Sequence, residues 1–231
     1  MSKPKAVYSN DFYIGKIKPV RVLFNPALAE ARKIGGKGDA KFEVQIGLEA
    51  DHPDLLPLKK EMARIARERW GQDTDLKKLQ LKFVNGDDEY DYCANKMEPA
   101  DKRKEYPQLK GLQIMKLRSK NPISVFDVRQ RNEKGVPVEI TDAETIRRVI
   151  YAGSYVSMKL TLATYDEISD RDPNKARPPG VTVYPEQICF VADGERLTSG
   201  GNSDGSGFAA VQGAVSAEDP TGDSDDPLAG L

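Results

Sequence analysis

The chain has 231 residues, 39% hydrophobic and 31% charged, which is enough apolar material for one core rather than two, so one domain with tails is expected. No run approaches the ~18 apolar residues of a membrane helix, and the opening Met1-Ser2-Lys3-Pro4-Lys5 lacks the apolar stretch of a secretory leader, so neither a span nor export is expected. The net charge of −1 conceals an asymmetry: six of the 36 acids lie beyond Arg196, where there is no Lys or Arg, leaving 30 acids in residues 1–196 against all 35 bases.

Residues 1–20 read as a polar, basic arm with Tyr8, Phe12 and Tyr13 interspersed. Arg21 to Pro26 reads as a first strand, and Gly35, Gly36 and Gly38 mark a loop. Lys41 to Ala50 alternates cleanly, with Phe42, Val44, Ile46 and Leu48 on one face, as in a half-buried strand. Leu58 to Trp70 has helical spacing and ends at Gly71, a residue suited to the position after a helix. A short strand over Leu79–Val84 leads into the turn Asn85-Gly86-Asp87-Asp88, and residues 90–109 form a long polar excursion.

The second half is richer in β signals. Strands are expected over Leu112–Leu117 and Ile123–Val128, joined at Asn121-Pro122, with a hairpin turn at Glu133-Lys134-Gly135. Thr141-Asp142-Ala143-Glu144 is a capping-box pattern that opens a short helix. Tyr151 to Tyr165 reads as one long strand or a bent pair; a proline-containing loop follows, and Val181–Val191 closes the set. From Thr198 Gly, Ser, Asp and Ala dominate without periodicity, a composition that does not bury enough apolar area to offset its ordering entropy. The expected organisation is therefore an arm over 1–20, a domain over 21–197 and a disordered acidic tail over 198–231. The fold class is mainly β: an OB-fold-like five-stranded barrel with additional strands, one helix of about three turns and long loops.

The chemistry-bearing signal is cationic and aromatic. Residues 102–134 hold ten bases against three acids, with Tyr106 and Phe126 among them. Sequence-tolerant binding of a single strand needs a cationic groove for phosphates and ring faces for bases, each stack contributing roughly 1–3 kcal/mol. The phosphate candidates are Lys102, Arg103, Lys104, Lys116, Arg118 and Lys120. The stacking candidates are Phe12, Tyr13, Tyr90, Tyr92 and Tyr106. In the tail, Asp223, Asp225 and Asp226 precede Leu228 and Leu231, a pattern that can set carboxylates on a basic rim and a leucine in a pocket. The acids Asp87, Asp88, Glu89 and Asp91 do not have EF-hand spacing and read as turn chemistry, so no metal is expected. The single histidine, His52, and the absence of nucleophile-elbow, CxxC, Walker A and dinucleotide fingerprints leave a catalytic reading without support. Cys93 and Cys189 lie far apart and suggest a reducing compartment rather than a disulfide scaffold.

Several ordered segments resemble the phage replication single-stranded DNA-binding proteins. They are Val84-Asn85-Gly86-Asp87, the stretch from Glu105 to Asp127, Tyr151-Ala152-Gly153-Ser154-Tyr155-Val156, and Gln187 to Leu197 with its Asp193-Gly194 turn, followed by the acidic tail. Tails of that family commonly end in Phe, whereas this one ends in Leu231. The resemblance implies an OB-fold that binds single-stranded DNA in phage replication, recombination or repair, in the host cytoplasm, without catalysis or cofactor. It also implies a tail that regulates binding and recruits replication proteins such as polymerase or helicase. Self-association is left open. The competing readings are a protein-interaction or virion structural module, and a metal-dependent nuclease using the acids near residue 88.

Overall fold

The computed structural model describes residues 5–33, 38–81, 83–87, 109–167 and 177–197, with the side chains of 24–26 left aside. The chain divides into two units, Met1–Ser199 and Gly200–Leu231, and every described residue lies in the first. Among the described residues there are nine strands: β1 Phe12–Ile14, β2 Val20–Arg32, β3 Lys41–Glu49, β4 Val84–Asn85, β5 Leu112–Ser119, β6 Ser124–Arg131, β7 Pro137–Ile140, β8 Tyr155–Tyr165 and β9 Gly180–Ala192. Two α-helices accompany them, α1 Leu55–Trp70 and α2 Ala143–Val149.

The strands form one mixed sheet in the order β4-β5-β3-β2-β8-β9-β6-β7, with β1 on the free edge of β8. All pairings are antiparallel except β6 with β9. β2, β3, β5, β8 and β9 are the five strands of an OB-like barrel, and the others are additions to it. The sheet curls until β5 approaches β9. The gap there is stitched at Gln80: its N–H donates to Pro179 O (3.0 Å), and its carbonyl accepts from Val181 N–H (3.1 Å). A Cβ on Gly180 would lie 2.3 Å from the Gln80 carbonyl oxygen, so this closure requires a glycine.

The interior follows from strand alternation. On β8, Val156, Met158, Leu160 and Leu162 are buried, while Lys159, Thr161 and Tyr165 face outward and are only half-buried. Leu58, Met62, Ile65 and Ala66 of α1 join the same core. The helix begins three residues earlier than its periodicity indicates. Asp54 precedes it without capping it, because that carboxylate instead accepts from Gly15 N–H at 2.7 Å.

Three other boundaries differ from the sequence reading for physical reasons. The stretch read as an arm supplies β1: Val7 and Phe12 pack against the core and Ile14 is fully buried, filling the edge of β8 that β2 leaves after its pairing at Val20 and Arg21. The cap of α2 is Asp142 rather than Thr141, its carboxylate accepting from Thr145 N–H at 2.7 Å. Tyr151–Ser154 is a turn rather than strand, with Ser154 N–H donating to Tyr151 O at 3.0 Å. No helix among the described residues is long and apolar enough to cross a membrane.

Candidate nucleic-acid interface

A cleft of about 1150 Å³ lies over the outer faces of β5, β9 and β8. Strand alternation puts Lys116 and Arg118 of β5, Thr182, Tyr184 and Glu186 of β9, and Thr161 and Tyr165 of β8 on its surface. Lys41, at the start of β3, and Arg177, just before β9, complete the rim with Lys120. The described ends of the β2–β3 and β8–β9 connections, at Lys41 and Arg177, thus lie on the cleft; in OB barrels these two connections bind oligonucleotides.

The cleft is strongly cationic. Its described lining carries five bases (Lys41, Lys116, Arg118, Lys120 and Arg177) and one acid, Glu186. That acid is already engaged: Glu186 Oε2 lies 3.0 Å from Lys159 Nζ, and the Thr161 hydroxyl donates to Oε1. Arg118 Nε donates to Glu43 Oε2 at 2.6 Å, and Lys120 Nζ lies 2.7 Å from Asp39 Oδ2. The Lys120–Asp39 pair is exposed on both sides and worth about 0–1 kcal/mol, so an arriving phosphate can take over that lysine at small cost, whereas the Glu43 carboxylate on Arg118 is largely buried. Burial pushes the Lys116 ammonium below the ordinary lysine value, and the Arg118 charge adds to the effect against the pull of Glu43. A phosphate beside Lys116 would relieve that strain.

Ring faces line the same space. Tyr184 is 41% exposed, the most open aromatic in the cleft. The Tyr165 hydroxyl donates to Gln80 Oε1 at 2.7 Å, which fixes its ring, and Phe83 packs partly into the core with Lys59 Nζ 5.5 Å from its centroid.

Of the residues singled out from sequence, the cleft brings together Lys116, Arg118 and Lys120. Phe12 packs partly buried against the core, and Tyr13 is exposed two strands from β9 with Lys16 Nζ 3.5 Å above its ring. Tyr90, Tyr92, Tyr106, Lys102, Arg103, Lys104 and the tail residues Asp223, Asp225, Asp226, Leu228 and Leu231 lie outside the described residues. The Asp87 N–H donates to Asn85 Oδ1 at 3.2 Å within the turn, and its carboxylate accepts from the distant Gly111 N–H at 2.8 Å. The sequence reading missed Lys41, Arg177, Tyr165 and Tyr184. Alternation would have marked Tyr184, which stands between the inward-facing Val183 and Pro185.

Known proteins share this architecture. The single-stranded DNA-binding protein from bacteriophage Enc34 aligns at a TM-score of 0.54 over 89% of this chain and 99% of that one, with 12% identity. The same phage protein in complex with ssDNA aligns at 0.51 over 78% of this chain and 86% of that one, with 14% identity. This chain has that protein's fold. No protein-family model matches the sequence, and no curated protein matches it.

Proposed function

We propose that this chain binds single-stranded DNA without strong sequence preference, in the cleft over β5, β9 and β8, during phage replication, recombination or repair. The supporting observation is the cleft itself, where five cations, an exposed tyrosine and one acid, itself engaged, make up the charged and aromatic part of the described lining. Cations supply a sequence-independent grip on phosphates, and a ring stacks on any base. The Enc34 protein of the same fold is a single-stranded DNA-binding protein, which accords with this reading. Binding protects the strand and involves no catalysis and no cofactor. The acidic segment after Arg196 competes with DNA for the basic cleft and, once displaced, recruits replication proteins; its six acids and lack of bases support that role.

The test is retardation of a labelled oligothymidylate by the full chain at low and high salt, with duplex as competitor. Retention at low salt, a steep loss with added salt and weak competition by duplex are expected. Failure to retain the oligonucleotide at low salt would end the proposal.

A further inference from the structure

We propose that the bound strand does not stop at β8 but continues across it onto the N-terminal segment, where Tyr8 is a second stacking station. This rests on the cleft being the single-strand site. The cleft's wall on β8 is made by Thr161 and Tyr165. Ala163 stands between them in the alternation, covered to 3% exposure, and its cross-strand partner is Tyr8. Paired residues of an antiparallel ladder point to the same side, so Tyr8 stands on the cleft's side of the sheet, one strand further out.

Three observations favour this crossing. Tyr8 is 62% exposed, more open than Tyr184. Its backbone is firmly seated: Ser9 N–H donates to Leu162 O and Thr164 N–H to Val7 O, both at 2.9 Å. The ring is therefore presented from a fixed strand, so stacking does not require the ordering of a loose arm. Lys5, exposed and nearby in sequence, adds a cation on this side of β8. Tyr184 faces Thr161 across one side of β8 and Tyr8 faces Ala163 across the other. Two strand spacings and two residues put the tyrosines about 12 Å apart, a gap that an extended strand bridges in a nucleotide or two.

On the neighbouring route, through Lys159 to Tyr13, both the cation and the ring are already engaged. Asp11 and Glu186 each lie 3.0 Å from Lys159 Nζ, a triad with a net negative charge, and Lys16 already covers the Tyr13 ring.

The experiment measures fluorescence anisotropy of the full chain with oligothymidylates of about 5 and about 15 nucleotides, near the two ends of the range one OB fold covers. Tyr8→Ala should weaken the longer oligonucleotide about fivefold or more, with the shorter changed less than about twofold. Tyr8→Phe, which keeps the ring, should bind both as the parent does. Tyr13→Ala should leave both within about twofold of the parent. Equal losses on both lengths, no loss on the longer one, or a Tyr13→Ala loss matching that of Tyr8→Ala would overturn the Tyr8 station while leaving the cleft standing. If the unsubstituted chain binds neither oligonucleotide, the cleft reading and this inference fall together. An unchanged melting temperature for Tyr8→Ala separates a lost contact from a damaged fold.

Discussion

At its start, β9 carries Thr182, Tyr184 and Glu186 beside Lys116, Arg118 and Arg177. At its far end it runs into Asp193–Leu197, beside Arg129, Tyr151 and Arg196. The side-chain types are nearly the same, yet at the far end they are engaged with one another. Arg129 lies 2.8 Å from the buried Asp127 and 3.4 Å from Asp193, with its guanidinium 4.1 Å from the Phe190 ring centroid. Arg196 stacks on Tyr151 at 4.1 Å, and the Tyr151 hydroxyl accepts from Gly194 N–H and lies 3.0 Å from Asp193 Oδ1. Even the backbone is committed: Leu197 N–H donates to Ala152 O at 2.9 Å, and a Cβ on Gly153 would sit 1.9 Å from the Glu195 carbonyl oxygen. Arginines and tyrosines therefore do not by themselves make a binding surface. What separates the two ends is the balance of charge, five bases to one acid in the described lining of the cleft, and an exposed tyrosine ring that none of the described guanidinium contacts covers.

The sharpest way to break this comparison is to reverse charges at each end. Lys41→Glu with Arg177→Glu should reduce oligonucleotide affinity by about 100-fold at low salt, and each cation lost should flatten the salt dependence by about 0.7 in log–log slope. Arg129→Glu should leave affinity nearly unchanged but destabilise the fold by about 3 kcal/mol, because it sets a second negative charge against the buried Asp127 carboxylate. Oligonucleotide titrations and urea unfolding of both variants check this. Equal affinity losses from both would mean that the far end binds too.

Single rings give a smaller contrast. Tyr184→Ala should weaken binding about fivefold or more with little change in stability, since the ring is exposed and stacks on no neighbour that the described contacts reveal. Tyr151→Ala should do the reverse, costing about 1–3 kcal/mol through the hydrogen bonds and the Arg196 stack it holds. Anisotropy and thermal melts read the two effects separately.

How much of this the sequence revealed depended on whether the signal was local. Alternation over Lys41–Ala50 and the spacing of Leu58, Met62 and Ile65 are local, and β3 and α1 lie close to where they were expected. Lys116, Arg118 and Lys120 were legible as a cationic run because β5 presents successive outward residues over a few positions. Arg177 and Lys41 were not, since each is an ordinary surface base until the barrel curls and brings the start of β9 beside β5. β1 was hidden for a related reason: Phe12 and Ile14 become strand residues only because β8 has an edge to offer them. Chain-order reading likewise gave no sign that Arg129, Tyr151 and Arg196 would close upon one another across the sheet.

The smallest expected effect is a pH signature that opens the two ends in opposite directions. Lys116 is held below its ordinary value of 10.5 by burial and by Arg118, so its charge opposes folding. The unfolded chain then binds more protons than the folded one between the lowered value and 10.5, and this residue makes stability rise with pH across that window. A bound phosphate favours the ammonium, so oligonucleotide affinity should fall over the same window, with a slope of at most about one log unit per pH unit. Lys116→Arg keeps its charge and should remove both dependences, which isolates them from other groups that titrate in alkali. At the far end the sign reverses. Hydrogen bonds from Arg129 hold the Asp127 carboxyl below its ordinary 3.8, so the stability it contributes is present above that value and is lost as pH falls through the depressed one. Mild alkali should therefore weaken the cleft's grip while leaving the Asp127–Arg129 contact intact, and acid should loosen that contact with the cleft lysines still fully charged. Affinity and urea stability measured across pH for the parent and Lys116→Arg would show whether the two ends separate in this way; a parent whose alkaline loss of affinity persists unchanged in Lys116→Arg would place the titrating group elsewhere.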